Sequence, residues 1–125
     1  MPSLFLVMLG GAVGSGARYL VGRAAFSAFG MGFPWGTLIV NLLGGLLMGV
    51  LVGTLARLSN GGETLRLLLA IGVLGGFTTF SSFSLDTVSM LQRGDWPTAL
   101  GYILASVIGS IAALVLGLSL VRIVA

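Results

Sequence analysis

The side chains in this sequence that could handle an ion are mostly uncharged, and they cluster. Residues 75–84 read GGFTTFSSFS: two adjacent glycines and five hydroxyls, with Phe77, Phe80 and Phe83 at every third position. Glycine and clustered Thr both weaken a helix. Where helical bonding fails, backbone carbonyls are released, and these are good ligands for a hard cation such as Na⁺. Half-helix N-termini favour anions instead. The same pattern also reads as a kink stabilised by its own Thr and Ser hydroxyls. Phe80 and Phe83 share a helix face. A phenyl ring is negative on its face and positive at its edge, so ring edges can meet an anion, although periodicity alone favours packing.

Other polar groups stand at regular spacing. Tyr102, Ser106 and Ser110 lie at i, i+4 and i+8, on one helix face. Single Ser residues often bond back to their own helix, but three in register can also form a polar track. Asn41 can bond across helices or offer its NH₂ to an anion. Arg18 falls near the centre of an apolar stretch, where a charge costs about 2.5–3.5 kcal/mol. It should therefore face protein, water or an anion rather than lipid. Asp86 lies about two helical turns past the glycines, nearer an aqueous mouth. An ion pair or a snorkelling side chain is the plainer reading of both charges.

Composition narrows the chemistry. Of 125 residues, 57% are hydrophobic and 7% charged, and the mean hydropathy is +1.15. A soluble domain carries about 25% charged residues, so lipid is the expected solvent. Without His or Cys, there is no disulfide framework, no thiolate nucleophile and no group that titrates near neutrality unperturbed. Lys is absent too; the six Arg are scattered and form no basic stripe for nucleic acid.

These groups must be held by four apolar segments, read at residues 4–29, 37–58, 64–92 and 98–123. Gly and Pro punctuate Gly30 to Gly36, SNGGE separates the middle pair from Ser59 to Glu63, and RGDWP ends the third segment at Gly94. There Asp95 is the expected N-cap and Pro97 lies in the next first turn. Each segment exceeds the ~20 residues that span a bilayer, and spans of this length in lipid are helices. We expect an all-α membrane protein, residues 1–125 forming a single four-helix transmembrane domain with its third helix broken near the membrane midplane. A cleaved secretory signal is disfavoured, since the first segment lacks a basic n-region and its apolar stretch is long. Gly45, Gly49 and Gly53, and Gly109, Ala113 and Gly117, form small-residue rows of the kind that let helices pack closely.

Four spans put Arg57, Arg66 and Arg122 on one side and Arg23 and Arg93 on the other, with Trp35 and Trp96 on the second side. That is almost no positive-inside bias. It is either noise in a small protein or dual topology, and we read it as dual topology, which permits an antiparallel homodimer.

GGFTTFSSFS, preceded by GTLIVNLLGG (residues 36–45) and GGAVGSGARY (residues 10–19), resembles the Fluc, or CrcB, fluoride channels over essentially the whole chain. The resemblance implies an antiparallel homodimer with two fluoride pores and one structural Na⁺ at its centre. It maps the Na⁺-binding carbonyls onto Gly75 and Thr78. It maps the pore onto Asn41, Phe80, Phe83, Tyr102, Ser106 and Ser110. Arg18 is placed near a mouth or the dimer core, with Thr79 and Asp86 as further candidates there. It implies a multi-pass protein of the bacterial or archaeal inner membrane, whose partners are a second copy of itself, fluoride and lipid, not nucleic acid. The implied activity is passive export of F⁻ that entered as HF and dissociated inside the cell.

A small dual-topology proton-coupled multidrug transporter is the main alternative. It needs a membrane-embedded carboxylate; the first span has none, and Asp86 lies off-centre in the third. A structural subunit would need no hydroxylated, broken helix. An enzyme is the poorest fit, since no His, Cys or carboxylate pair offers acid–base or nucleophilic groups.

Overall fold

A computed structural model describes residues 2–58 and 62–124. Helix α1 spans Ser3–Phe29 and α2 spans Trp35–Leu55. Helix α3 covers 63–77, α4 is Phe80–Gln92 and α5 is Trp96–Val124. No strand occurs among the described residues. α1, α2, the α3–α4 segment and α5 give four helices long and apolar enough to cross a membrane. Much of the turn read from Ser59 to Glu63 lies outside the described residues.

The chain's punctuation has a physical basis. Gly30, Gly62 and Gly94 have φ of 77°, 60° and 78°, the left-handed region that disfavours a Cβ. Gly30 closes α1 by donating its N–H to the Phe26 carbonyl at 2.8 Å. The second segment starts two residues earlier and stops three residues earlier than expected, running from Trp35 to Leu55. Trp35 packs on Phe29 and Phe33, with ring centroids 5.4 and 4.8 Å away. That contact holds the connection against the start of α2.

α2 lies mainly along α5, and α1 along α3. Glycines permit both approaches. A Cβ on Gly49 would collide with the Leu114 carbonyl, and one on Gly117 with that of Leu46. A Cβ on Gly76 would sit 2.7 Å from the Gly11 carbonyl. Residues 66–74 of α3 form wide i→i+5 turns, a form that often marks functional sites.

A compact apolar core gathers Leu38, Met90, Ala99 and Tyr102 at the Trp-bearing end, covered by Phe33, Leu42, Phe83 and Leu91. Elsewhere large apolar side chains face outward. Examples on α5 are Leu104, Ile108, Ile111 and Val115, and on α1 Leu4, Met8 and Leu20. Helices apolar on their outer faces suit a lipid surround.

Candidate functional site

The site begins where helical bonding stops. Thr78 (φ −85°, ψ 160°) and Thr79 (φ −151°, ψ 120°) are extended between α3 and α4. Gly75 and Gly76, the residues expected to disrupt the helix, remain helical. The non-helical step falls on the threonines because neighbouring side chains serve their backbone. Asn41 of α2 accepts from the Thr79 N–H at 2.8 Å and donates from Nδ2 to the Thr79 carbonyl at 3.0 Å. Its amide thus acts like a paired strand. Thr79 Oγ1 accepts the Ser82 N–H at 3.2 Å, an N-cap for α4. Thr78 Oγ1 donates back to the Leu74 carbonyl at 3.0 Å.

These bonds divert two donors. In a continuous helix the Thr79 N–H would serve the Gly75 carbonyl, and the Ser82 N–H the Thr78 carbonyl. Both are engaged elsewhere, by Asn41 Oδ1 and Thr79 Oγ1. Gly75 and Thr78 therefore lose their helical donors, while the Gly76 carbonyl accepts from Arg18 Nε at 3.1 Å. Irregular backbone in a span persists when it is buried in protein or lines a cavity.

One cavity of about 420 Å³ is lined by Asn41, Thr78, Thr79, Phe80, Phe83, Ser106 and Ser110, with apolar side chains between them. The Phe80 and Phe83 rings lie 5.5 Å apart, tilted by 44°. Ser106 Oγ is buried and has no hydrogen-bond partner. Buried hydroxyls are normally paired, so this one is unusual.

Not every residue of the expected pore reaches this cavity. Tyr102 is fully buried, and its hydroxyl donates to Asp86 Oδ2 at 3.0 Å. Its ring packs on Phe83, with centroids 5.2 Å apart. It thus backs the Phe83 wall rather than joining Ser106 and Ser110 on the lining. Asp86 lines another cavity of about 370 Å³, with Ser89 and Arg93. Arg18 lines a third, of about 620 Å³, with Arg23, Thr37 and Ser82. Thr79 lies on the wall of both the first and the third. Sequence reasoning did not assign Ser82 or Thr37, and their spacing carries no distinguishing signal.

Among the described residues no cluster of His, Cys, Asp or Glu could hold a metal through side chains. What the cavity offers is uncharged: the hydroxyls of Thr78, Thr79, Ser106 and Ser110, the amide of Asn41 and the rings of Phe80 and Phe83, within a bundle of four helices long and apolar enough to cross a membrane. A family described as CrcB-like protein, Camphor Resistance (CrcB), matches residues 5–118, and the chain belongs to that family. Proteins named fluoride-specific ion channel FluC are similar to it over nearly its whole length. The one from Sphingopyxis alaskensis is 55% identical over 122 residues, covering 98% of this chain and 97% of that protein. The one from a Chelativorans species is 56% identical, covering 98% of each. That of Caulobacter vibrioides is 54% identical over 123 residues, covering 98% and 97%. The family is one of ion channels and not of enzymes.

Proposed function

We propose that this chain is a fluoride-selective channel that lets F⁻ leave a bacterial cytoplasm passively through the inner membrane. The observation that carries the reading is the buried, unpartnered Ser106 hydroxyl on the wall that also presents Asn41, Phe80, Phe83 and Ser110. Fluoride is small and strongly hydrated, so a path for it must offer donors in place of water. Those donors must bind weakly enough to release the ion. Ser106 and Ser110 supply O–H groups and Phe80 and Phe83 supply ring edges. Asn41 has one amide hydrogen left after serving the Thr79 carbonyl. In this reading Tyr102 orients the wall by bonding Asp86 and packing on Phe83.

The non-helical step at Thr78–Thr79 is, in the same reading, a break at the membrane midplane, where two antiparallel copies meet. The Gly75 and Thr78 carbonyls fit a Na⁺ ion, because both are hard oxygen ligands whose helical donors are engaged elsewhere. Two copies would contribute them jointly. The bound cation would supply positive charge that favours anions nearby and joins the subunits. Phe80 is 77% exposed in the single chain, as expected of a ring that a second copy covers.

The test is efflux from liposomes holding the purified protein, read with a fluoride electrode and repeated with chloride. Fluoride efflux without chloride efflux is expected, slowed at least tenfold by Phe80→Ala or Phe83→Ala. Drug-driven proton flux without fluoride efflux would sink the reading. Unchanged efflux in both Phe variants would remove the ring edges from the mechanism. Family membership gives the multidrug alternative no support.

A further inference from the structure

The carbonyls around the non-helical step are not treated alike by their neighbours. Arg18, from α1, donates to the carbonyl of Gly76; Asn41, from α2, donates to that of Thr79. The Gly75 and Thr78 carbonyls, whose helical donors are diverted, lie next to these two engaged ones in the sequence. Arg18 has no carboxylate partner: the ion pair found among the described residues joins Arg66 and Glu63. Its bonded partner is instead a backbone carbonyl at the C-terminal end of α3, where the helix dipole favours a cation. An arginine from another helix thus caps α3.

The cap meets a specific need. Adjacent glycines leave the backbone at 75–76 free to reorient. Neither stiffening by a Cβ nor a bulkier residue is available at Gly76, because α1 packs against it with the Gly11 carbonyl 2.7 Å from where that Cβ would be. The rigidity must come from outside the glycine pair. We propose that Arg18 is a positioning residue for the cation site. By holding the Gly76 carbonyl toward α1, it fixes the neighbouring Gly75 carbonyl and decides which oxygens of the step remain for the ion. This rests on the reading that Gly75 and Thr78 hold Na⁺.

The experiment is thermal unfolding of the purified full chain in detergent across a sodium titration, with choline keeping ionic strength constant. The wild-type protein should be stabilised by sodium with a definable midpoint. Arg18→Gln should raise that midpoint at least tenfold and narrow the preference for Na⁺ over Li⁺ and K⁺. Arg18→Lys, which keeps the charge but not the Nε donor, should raise it less. Arg23→Gln removes a charge from the same cavity and should leave the midpoint unmoved. An Arg18→Gln midpoint equal to wild type overturns the proposal, and so does an equal shift from Arg23→Gln, which would make the effect general electrostatics. Should Arg18→Gln fail to fold, the lysine variant decides by the same criterion. A wild-type protein indifferent to sodium overturns the cation reading and this inference with it. Sodium stabilisation without fluoride efflux leaves the inference standing and removes only the transport reading.

Discussion

Among the places where backbone comes close to a neighbouring helix in this molecule, two are held in different ways. Along α2 and α5 the surfaces meet through missing side chains. A Cβ on Gly45 would sit 2.8 Å from the Ser110 carbonyl, and Gly49 and Gly117 are tighter still. At the step between α3 and α4 the contact is made of hydrogen bonds from Asn41 and Arg18 to main-chain atoms. The difference follows from the backbone on each side. A regular helix satisfies its own polar groups and needs only a fitting shape. An irregular step must borrow partners, and whatever it does not borrow is available to an ion.

The comparison breaks most severely on the smooth side. Gly49→Val puts a branched side chain against the Leu114 carbonyl, and overpacking costs about 3 kcal/mol or more. We expect loss of the monodisperse peak in size-exclusion chromatography. A Cβ on Gly101 would meet nothing within 4 Å, so Gly101→Ala should retain that peak. If both variants behave alike, glycine contact is not what holds α2 to α5.

On the hydrogen-bonded side, Asn41→Ala strands both the N–H and the carbonyl of Thr79. Leaving two such groups unpaired costs about 2–4 kcal/mol. Asn41→Asp keeps the acceptor but loses the donor to the Thr79 carbonyl, so its melting temperature should fall between those of wild type and the alanine variant. Smaller again is Tyr102→Phe, which deletes the bond to Asp86 and keeps the ring packing on Phe83. Its cost is about 1 kcal/mol, seen as a modest drop in melting temperature with fluoride efflux reduced in proportion.

The two contacts were also unequally legible. The glycine rows on α2 and α5 stand at helical spacing, which marks each as a close-packing face, while the structure alone pairs the two. The helix ends at Gly30 and Gly94 were legible because each uses the left-handed backbone that glycine tolerates. The step at 78–79 was legible only as a neighbourhood. Its location depends on Asn41, 38 residues away in sequence, and on the packing of Gly76 against α1, which keeps the glycines helical. The partner of Arg18 lies 58 residues along the chain and has no local signature. Tyr102, Ser106 and Ser110 share a face by periodicity, yet four residues turn a helix slightly past one revolution. The drift and the length of the Tyr side chain carry its hydroxyl to Asp86 instead of the cavity. The pore roles proposed for Phe80 and Phe83 rest on family resemblance, since spacing favoured packing.

The smallest stability effect is expected at Ser106, and it separates structure from transport most cleanly. Its hydroxyl is buried and unpartnered, so removing it strands nothing and relieves an unpaired polar group. Ser106→Ala should melt within about 1 kcal/mol of wild type, on the stable side if it differs. The same change removes a donor from the proposed ion path, so fluoride efflux should fall about tenfold, which corresponds to about 1.4 kcal/mol. Tyr102→Phe should show the reverse balance, losing stability first and transport only as a consequence. A destabilised Ser106→Ala would mean the hydroxyl serves the fold as Asn41 does. A stable variant with undiminished efflux would put the ion path elsewhere than the wall formed by Ser106, Ser110 and the two phenylalanines.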